Sequence, residues 1–254
     1  MSDDSGTSND PKGRKARILR TVREDDNTTS VYIDTGDDER FRTFRPGQFA
    51  TLRVMEEDGW SDAHPFTIAA APGETVRLTI RGKGRFTSEL VPGLRDGDEV
   101  HCAGPYGVFC RDIERQEQIV LIAGGVGITP FLSVLRSFDQ AGAANRVVLF
   151  WSNKTYGDAF AAEELEAMTR RLDLTVVHVL TRETNPHHYA DQKLPAVFFE
   201  KGHISRDMLA RHVQSATASF YLCGPGPMQQ HVLDELRAFG VDTGGVETEQ
   251  FVFS

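Results

Sequence analysis

The pattern of apolar residues changes once along the chain, near Asp112. Before that point, short alternations of apolar and polar residues are separated by Gly, Pro and Asp turns, and Val76, Leu78 and Ile80 give the clearest example. Alternation with a period of two is typical of strands that bury one face. The first half of the chain is therefore predicted to be all-β, an antiparallel β-barrel of small size.

After Asp112 the apolar runs become continuous and are separated by helix-like sequence. Four such strands are predicted, at residues 119–123, 147–151, 174–180 and 220–223. Strands that alternate with helices and are apolar throughout indicate a doubly wound parallel sheet. Ligands of these sheets bind beyond the carboxyl ends of the strands, so functional residues are expected in the loops that follow.

The length of 254 residues fits two domains better than one. Residues 1–14 are rich in Ser, Asp, Gly and Asn, which predicts a disordered tail. Residues 15–112 are predicted to form the β domain, and residues 113–254 the α/β domain.

Composition excludes several classes of function. A net charge of -9 argues against nucleic-acid binding, because phosphates require a basic face. The three cysteines include no Cys-x-x-Cys pair, which argues against an iron-sulfur cluster and against a disulfide framework. The adjacent His187 and His188 have no nearby ligand set, so a polar loop is favoured and no metal site is predicted. Any redox chemistry must then come from a bound organic cofactor.

The sequence also gives an expectation for location. No apolar run reaches the roughly 18 to 20 residues of a membrane span, and the N-terminus lacks the basic-then-apolar order of a signal peptide. A cytoplasmic protein is therefore expected.

A short segment of the β half, His64-Pro65-Phe66-Thr67, presents an aromatic ring and a hydroxyl beside a turn. An isoalloxazine ring needs such partners, an aromatic face to pack on and a hydroxyl to orient hydride transfer. The alternative is that Phe66 simply packs in the core.

A second segment, Arg81-Gly82-Lys83-Gly84-Arg85-Phe86-Thr87, follows the best alternating strand and leads into a helix start. It combines backbone freedom with cationic donors, which a pyrophosphate requires. The alternative is an ordinary basic turn followed by a capped helix.

In the α/β half, a predicted strand runs directly into Gly124-Gly125-Val126-Gly127-Ile128-Thr129-Pro130 and then into an apolar-periodic helix. Strand, glycine turn and helix occur in the order that a diphosphate site requires. Thr129 is predicted as the helix N-cap and Pro130 as the first helical residue. This is not a Gly-x-Gly-x-x-Gly motif, because Pro130 occupies the last glycine position.

Three further segments lie where ligands of a doubly wound sheet are expected. They are Lys154 after the second strand, Thr181-Arg182 after the third, and Cys223-Gly224-Pro225-Gly226-Pro227-Met228 after the fourth. A cysteine at a strand end is by default a small buried hydrophobe. The chain then ends with Glu247-Thr248-Glu249-Gln250-Phe251-Val252-Phe253-Ser254, in which an aromatic and a carboxylate could close over a site. The alternative is a terminal strand with Phe251 and Phe253 in the core.

In order and spacing these segments resemble the ferredoxin-NADP reductase superfamily. Its flavin motif is Arg-x-Tyr-Ser/Thr, followed by Gly-x-x-Ser/Thr, a Gly-Pro-x-Gly turn, Gly-Gly-x-Gly-x-Thr-Pro and Cys-Gly-Pro-x-x-Met. The resemblance covers essentially everything after the tail. His64 stands where most members have arginine, and His-Pro-Phe-Thr resembles the NADPH oxidase and ferric reductase branch.

The resemblance implies FAD and a nicotinamide nucleotide as cofactors, and roles for the matching residues. Thr67, Cys223 and Glu249 would orient hydride transfer, and Phe251 would cover the flavin. The remaining residues that would bind a cofactor are His64, Pro65, Phe66, Arg81, Gly84, Thr87, Gly124, Gly125, Gly127, Thr129, Pro130, Lys154, Thr181, Arg182, Gly224, Pro225 and Met228. Thr181-Arg182 resembles the Ser-Arg of NADP-using reductases, which favours NADPH over NADH.

The function expected from these motifs is an FAD-dependent NAD(P)H oxidoreductase that passes electrons to a separate acceptor, such as ferredoxin, flavodoxin, an oxygenase or a haem protein. Two alternatives remain open. One is a non-catalytic electron-transfer or regulatory subunit of a larger redox complex. The other is a diaphorase-like enzyme that reduces free flavin or ferric chelates directly.

Overall fold

A computed structural model describes residues 13–250. These residues form two β-sheets, one antiparallel and one parallel. The strands of the antiparallel sheet are β1 (Arg14–Asp25), β2 (Thr28–Asp34), β3 (Phe49–Glu56), β4 (Gly59–Trp60), β5 (His64–Thr67), β6 (Val76–Arg81) and β7 (Glu99–Tyr106). Most of the predicted tail at 1–14 lies outside the described residues, although Arg14 already belongs to β1.

The antiparallel sheet has the strand order β4-β3-β7-β1-β2-β6, with β5 paired to β3. Its inner face follows the sequence pattern, because Val76, Leu78 and Ile80 of β6 are all buried. The predicted barrel is not closed by continuous strand pairing. The short β5 ends at Thr67, and a single bridge between Ile68 and Leu78 connects it to β6.

The parallel sheet follows in the second half of the chain and has the order β11-β10-β9-β8-β12-β13. Its strands are β8 (Gln118–Gly124), β9 (Arg146–Asn153), β10 (Leu174–Leu180), β11 (Val197–Lys201), β12 (Ser219–Cys223) and β13 (Glu247–Glu249). The helices are α1 (Val91–Gly93) in the first half, and α2 (Thr129–Ala141), α3 (Ala162–Met168), α4 (Arg206–His212) and α5 (Gly226–Phe239) in the second.

The topology of the parallel sheet locates its ligand crevice. From β8 the chain proceeds in one direction through β9, β10 and β11, and then returns to the other side of β8 with β12. Such a reversal creates a crevice at the carboxyl ends of the two strands flanking it. The loops that follow β8 and β12, the two glycine motifs of the sequence, therefore lie side by side.

The two sheets have separate apolar cores, and the parallel sheet has a core on each face. The antiparallel sheet ends with β7 at Tyr106 and the parallel sheet begins with β8 at Gln118. We propose that the domain boundary predicted at Asp112 lies in this connecting segment. None of the helices in residues 13–250 combines the length and apolar character that a membrane-crossing segment needs.

Candidate nucleotide-binding site at the junction of the two sheets

The predicted flavin segment forms β5 and carries its aromatic side chains on one face. His64 and Phe66 are two residues apart, and both pack against Phe86, with ring centroids 3.8 Å and 6.1 Å away. Burial lowers the pKa of His64, which disfavours the charged imidazolium. Thr67 is buried at the end of the strand, whereas Pro65 is exposed.

Phe86 is a member of this cluster that the sequence analysis did not identify. It stands between Arg85 and Thr87, in the segment predicted to bind pyrophosphate, and is buried. No local pattern distinguishes it from an ordinary core residue, because its partners His64 and Phe66 come from another strand.

The turn after β6 presents backbone donors. Thr87 Oγ1 accepts hydrogen bonds from the backbone N–H groups of Lys83 and Gly84, at 2.9 and 3.1 Å. A Cβ atom at Gly84 would meet nothing within 4 Å, so the turn is open to solvent there. The chain continues into a π-helical turn at Phe86–Leu90 with no side-chain cap, so the capped helix considered as the alternative does not form as such.

Arg81 connects the two predicted cofactor motifs. Its Nη2 lies 3.9 Å from Asp25 of the antiparallel sheet and 4.0 Å from Asp158, which follows β9 of the parallel sheet. A Cβ atom at Gly125 would stand 2.9 Å from Arg81 Nη1. The residue predicted to bind the flavin pyrophosphate therefore lies beside the loop predicted to bind the second nucleotide.

The glycine loop after β8 packs directly against the loop after β12. A Cβ atom at Gly127 would stand 2.5 Å from the Cys223 carbonyl oxygen, and one at Gly124 would stand 2.3 Å from Met228 Sδ. Gly224 is equally close-packed, since its Cβ would lie 3.1 Å from the Gly124 nitrogen. These glycines are required by contact between two protein segments, in addition to any approach of a ligand.

The helix start differs from the prediction. The α-helix begins at Thr129 itself, after a 3-10 turn over Gly125–Ile128, and it has no side-chain cap. Thr129 Oγ1 donates instead to the Val126 carbonyl oxygen at 3.1 Å. Thr129 is therefore not the N-cap, because the tight 3-10 turn already occupies the position from which a cap would act. Pro130 still lies in the first turn, where a missing N–H is tolerated.

Cys223 and Glu249 lie on paired strands, as partners in the register of β12 and β13. Cys223 is fully buried, and burial together with the nearby Glu249 raises the pKa of its thiol well above the ordinary value. Burial also raises the pKa of Glu249 to about 7. Glu249 Oε2 is buried and accepts no hydrogen bond within residues 13–250.

Gln229, which the sequence did not single out, fixes this pair of segments. Its Nε2 donates to the carbonyl oxygens of Gly224, at 2.9 Å, and of Glu249, at 2.7 Å. Pro225, by contrast, is exposed at the start of the helix. Phe251, predicted to cover the flavin, lies outside the described residues.

The loops after β9 and β10 bring the predicted cationic residues together. The Arg182 N–H donates to the Lys154 carbonyl oxygen at 2.8 Å, and Thr181 donates to the Asn153 carbonyl oxygen from both its N–H and its hydroxyl. Lys154 and Arg182 are exposed, and within residues 13–250 neither side chain forms an ion pair.

Two polar residues in these loops were not predicted. Both polar atoms of the Asn153 amide are buried without a hydrogen-bond partner in the described part of the chain. Glu183, next to Arg182, accepts hydrogen bonds from the Tyr156 N–H at 3.4 Å and the Tyr189 hydroxyl at 3.2 Å. Neither has a sequence signal, because a lone Asn or Glu after a strand is common in loops.

The geometry fits two nucleotides. Unpartnered buried atoms of Asn153 and Glu249, the open space beside Gly84 and an arginine between the two loops are suited to amide, hydroxyl and phosphate groups. Across residues 13–250, no three His, Cys, Asp or Glu side chains come together as a metal site would require. The two-sheet fold and this site are suited to binding nucleotides at the junction of the sheets.

Comparison with known proteins shows which proteins the chain is similar to. Residues 121–234 match the family described as "Oxidoreductase NAD-binding domain". The chain is 26% identical over 244 residues to a flavohemoprotein of Bacillus anthracis, covering 92% of this chain and 60% of that protein. It is 29% identical over 210 residues to the reductase component of propane 2-monooxygenase from Rhodococcus jostii, covering 82% of this chain and 55% of that protein.

Solved structures show the same fold. The FAD/NAD-binding domain of nitric oxide dioxygenase from Vibrio cholerae superposes with a TM-score of 0.79 at 22% identity, covering 94% of this chain and 98% of that one. A ferredoxin NADP+ reductase from Neisseria gonorrhoeae with bound FAD and NADP has a TM-score of 0.72 at 18% identity, covering 94% and 99%. These comparisons show that the chain shares the fold of these reductases and contains a region similar to oxidoreductase NAD-binding domains. The chain spans 60% or less of the length of the two relatives named above.

Proposed function

We propose that the protein takes a hydride from a reduced nicotinamide nucleotide and delivers electrons to a separate acceptor. The observation that carries this proposal is the adjacency of the two predicted motifs, in which Arg81 lies against Gly125 and between carboxylates of both sheets. A site that joins two nucleotides needs such a junction, because hydride transfer requires the reacting rings to be held in contact.

On the flavin side, we assign binding to the face of β5 and to the turn after β6. Phe66 and Phe86 offer aromatic surface, and Arg81 and the open turn at Gly84 suit a pyrophosphate. A pyrophosphate distinguishes FAD from FMN, so we propose FAD as the resident cofactor. When bound, the flavin supplies the two-electron acceptor that can also release electrons singly.

On the nicotinamide side, we assign orientation of the ring to Cys223 and Glu249, at the crevice between β8 and β12. The buried Glu249 Oε2 can accept a hydrogen bond from a carboxamide, which would satisfy an otherwise unpaired polar atom. Thr67, buried at the end of β5, is assigned to the same reaction from the flavin side. Phe251 is proposed to cover the flavin until nucleotide enters.

We further propose NADPH as the preferred donor. The exposed cations Lys154 and Arg182 lie beside Thr181 at adjoining strand ends, and a 2′-phosphate requires such a concentration of positive charge. Glu183 is held by Tyr156 and Tyr189. That arrangement keeps its carboxylate engaged.

The acceptor is proposed to be a haem protein or an oxygenase. The names of the relatives support these two chemistries, since one is a flavohemoprotein and another is the reductase component of a monooxygenase. Electron delivery to a partner also distinguishes the proposal from a diaphorase, which would turn over quickly with small acceptors alone.

One anaerobic experiment tests the proposal. The purified protein is reconstituted with FAD and titrated with NADPH, and flavin bleaching is followed by absorbance before a haem protein or oxygenase is added. Bleaching by NADPH and reoxidation by the protein acceptor are expected. Before reconstitution, any flavin that co-purifies is released with acid and identified by chromatography. Finding FMN instead of FAD there, or a reconstituted flavin that reduced nicotinamides do not bleach, would contradict the proposal.

A further inference from the structure

The segment that follows β5 is one of the places at which the two sheets are attached to each other. Ala69, Ala70 and Ala71 come directly after Thr67 and Ile68 and are each at most 2% exposed. Alanine side chains are small, so another element can approach the backbone of this segment closely. The element that does so is α2, which begins at the glycine loop of the nicotinamide side.

Two side chains of α2 recognise the alanine segment through its carbonyl oxygens. Ser133 Oγ donates to the Ala70 carbonyl oxygen at 2.7 Å, and Arg136 Nη1 donates to the Ala69 carbonyl oxygen. Ser133 and Arg136 are buried, at 0% and 7% exposure. Buried hydrogen bonds of this kind are costly to leave unmade, so they define one relative position of strand and helix.

The rest of the Arg136 guanidinium is held as well. Its Nε and Nη2 donate to the two carboxylate oxygens of Glu164 in α3, at 2.7 and 2.6 Å. A bidentate pair fixes the plane of the guanidinium and not only its charge. The third nitrogen of the guanidinium, Nη1, is thereby directed at the Ala69 carbonyl oxygen.

The opposite side of the alanine segment is bonded within the antiparallel half. The Ala69 N–H donates to the Arg77 carbonyl oxygen at 2.8 Å, and the Ala71 N–H donates to Glu74 Oε2 at 2.9 Å. Glu74 Oε1 in turn accepts from Gln140 of α2 at 2.8 Å. The N–H groups of Ala69 and Ala71 thus bind the antiparallel half, and the carbonyl groups of Ala69 and Ala70 bind α2.

We infer that Ser133 and Arg136 are positioning residues. They fix α2, the helix of the nicotinamide side, relative to β5, the strand assigned to the flavin. They touch neither nucleotide in the assignment given above. Only two residues separate Ser133 from Pro130 of the glycine motif, and only one separates Thr67 from Ala69. A shift of α2 would therefore move one reacting ring relative to the other, and misplacement by about 1 Å can cost on the order of 100-fold in rate. This role rests on the proposed function, whereas the attachment itself does not.

The test uses Ser133→Ala, Arg136→Lys and the double variant. Arg171→Lys is the matched control. Arg171 forms a bidentate pair with Asp139 of α2, the helix that also carries Ser133 and Arg136, at 2.7 Å for both contacts, and it does not touch the alanine segment. Lysine preserves the charge in both cases but cannot make the bidentate pair.

The first readout needs no cofactor chemistry. Spin labels are placed on cysteines introduced at the exposed Asp96 and Ala238, one in each half, while the three natural cysteines are buried. A narrow distance distribution is expected for the parent protein and for Arg171→Lys. A broadened or displaced distribution is expected for the double variant and, to a smaller extent, for Ser133→Ala, which removes one hydroxyl and should still fold.

The second readout is single-turnover flavin reduction. The double variant should reduce its flavin on the order of 10- to 100-fold more slowly, with FAD content unchanged and long-wavelength flavin–nicotinamide absorbance weakened. An unchanged distance distribution in all variants would overturn the inference. If the parent protein itself is not reduced by nicotinamides, the proposed function fails, while the distance measurement still decides the attachment.

Discussion

The flavin-side turn and the nicotinamide-side loop both depend on glycine, but for different physical reasons. Gly84 has open space where a Cβ atom would stand, so a ligand can approach the backbone of its turn. Gly127 has no such space, because its Cβ would stand 2.5 Å from the Cys223 carbonyl oxygen and 2.8 Å from the carbonyl carbon. The same sequence signal therefore reflects ligand access in one half and contact between protein segments in the other.

The largest expected effect separates these two glycines directly. Gly127→Ala should lower the free energy of unfolding by about 3 kcal/mol, because backbone atoms must move to admit the methyl group. Gly84→Ala should change it by less than about 0.5 kcal/mol, since nothing obstructs the methyl group. Urea denaturation of both variants measures the difference, and equal destabilisation would refute the distinction.

The next effect tests the exposed cations of the nicotinamide side. Arg182→Ala should lower kcat/KM with NADPH on the order of 10- to 100-fold, corresponding to the roughly 1.5–3 kcal/mol of a charge-assisted contact, and should affect NADH much less. Arg170→Ala serves as the control, because Arg170 is also exposed but lies at the amino end of β10. An equal loss with both nucleotides would show that Arg182 does not read the phosphate.

A third effect follows from the raised pKa of Glu249, about 7 in the folded protein against 4.5 ordinarily. The folded state binds a proton that the unfolded chain releases, so this stabilising contribution is complete below about pH 4.5 and is lost as the pH rises through 7. Glu249→Gln should match the parent near pH 4.5 and exceed its unfolding free energy by about 1–2 kcal/mol at pH 8.

Thermal or urea unfolding at several pH values measures this difference. The exposed Glu117→Gln should show no such pH dependence. A constant offset between parent and Glu249→Gln across the pH range would mean that burial of the carboxyl is not the cause.

The smallest effect concerns the flavin-side turn. Thr87→Val removes the oxygen that accepts hydrogen bonds from Lys83 and Gly84 but keeps the side-chain volume. It should lower the free energy of unfolding by only about 1 kcal/mol, because water replaces the lost acceptor at this exposed turn. FAD should dissociate faster, as followed by the rise of flavin fluorescence. Thr87→Ser keeps the oxygen and should retain the parent behaviour.

Much of the fold was accessible from local patterns. The prediction of a strand at 174–180 matches β10 (Leu174–Leu180), because a continuous apolar run has little choice in a sheet covered on both faces. The strand β11 was missed, and β13 was expected only as the alternative of a terminal strand. β13 is the polar sequence Glu-Thr-Glu, and its pairing with β12 places it in the sheet without any apolar pattern of its own.

The candidate site was likewise predictable in part from local patterns. Periodicity and the order of strand, glycine turn and helix already specified the motifs at 64–67, 81–87, 124–130 and 223–228, since these depend on neighbours along the chain. The N-cap role of Thr129 was wrong because the 3-10 turn before it was not recognised.

Contacts between distant segments were decided only when the chain was folded. Two of these contacts join residues many positions apart: the packing of Gly127 against Cys223 and the attachment of α2 to the alanine segment. The pKa of Glu249 is raised by burial, which also depends on the folded chain. Local geometry constrains a few neighbouring residues, whereas burial and close packing depend on which segments the topology brings together. The motifs were thus fixed by short-range chemistry, and their arrangement into one site by long-range packing.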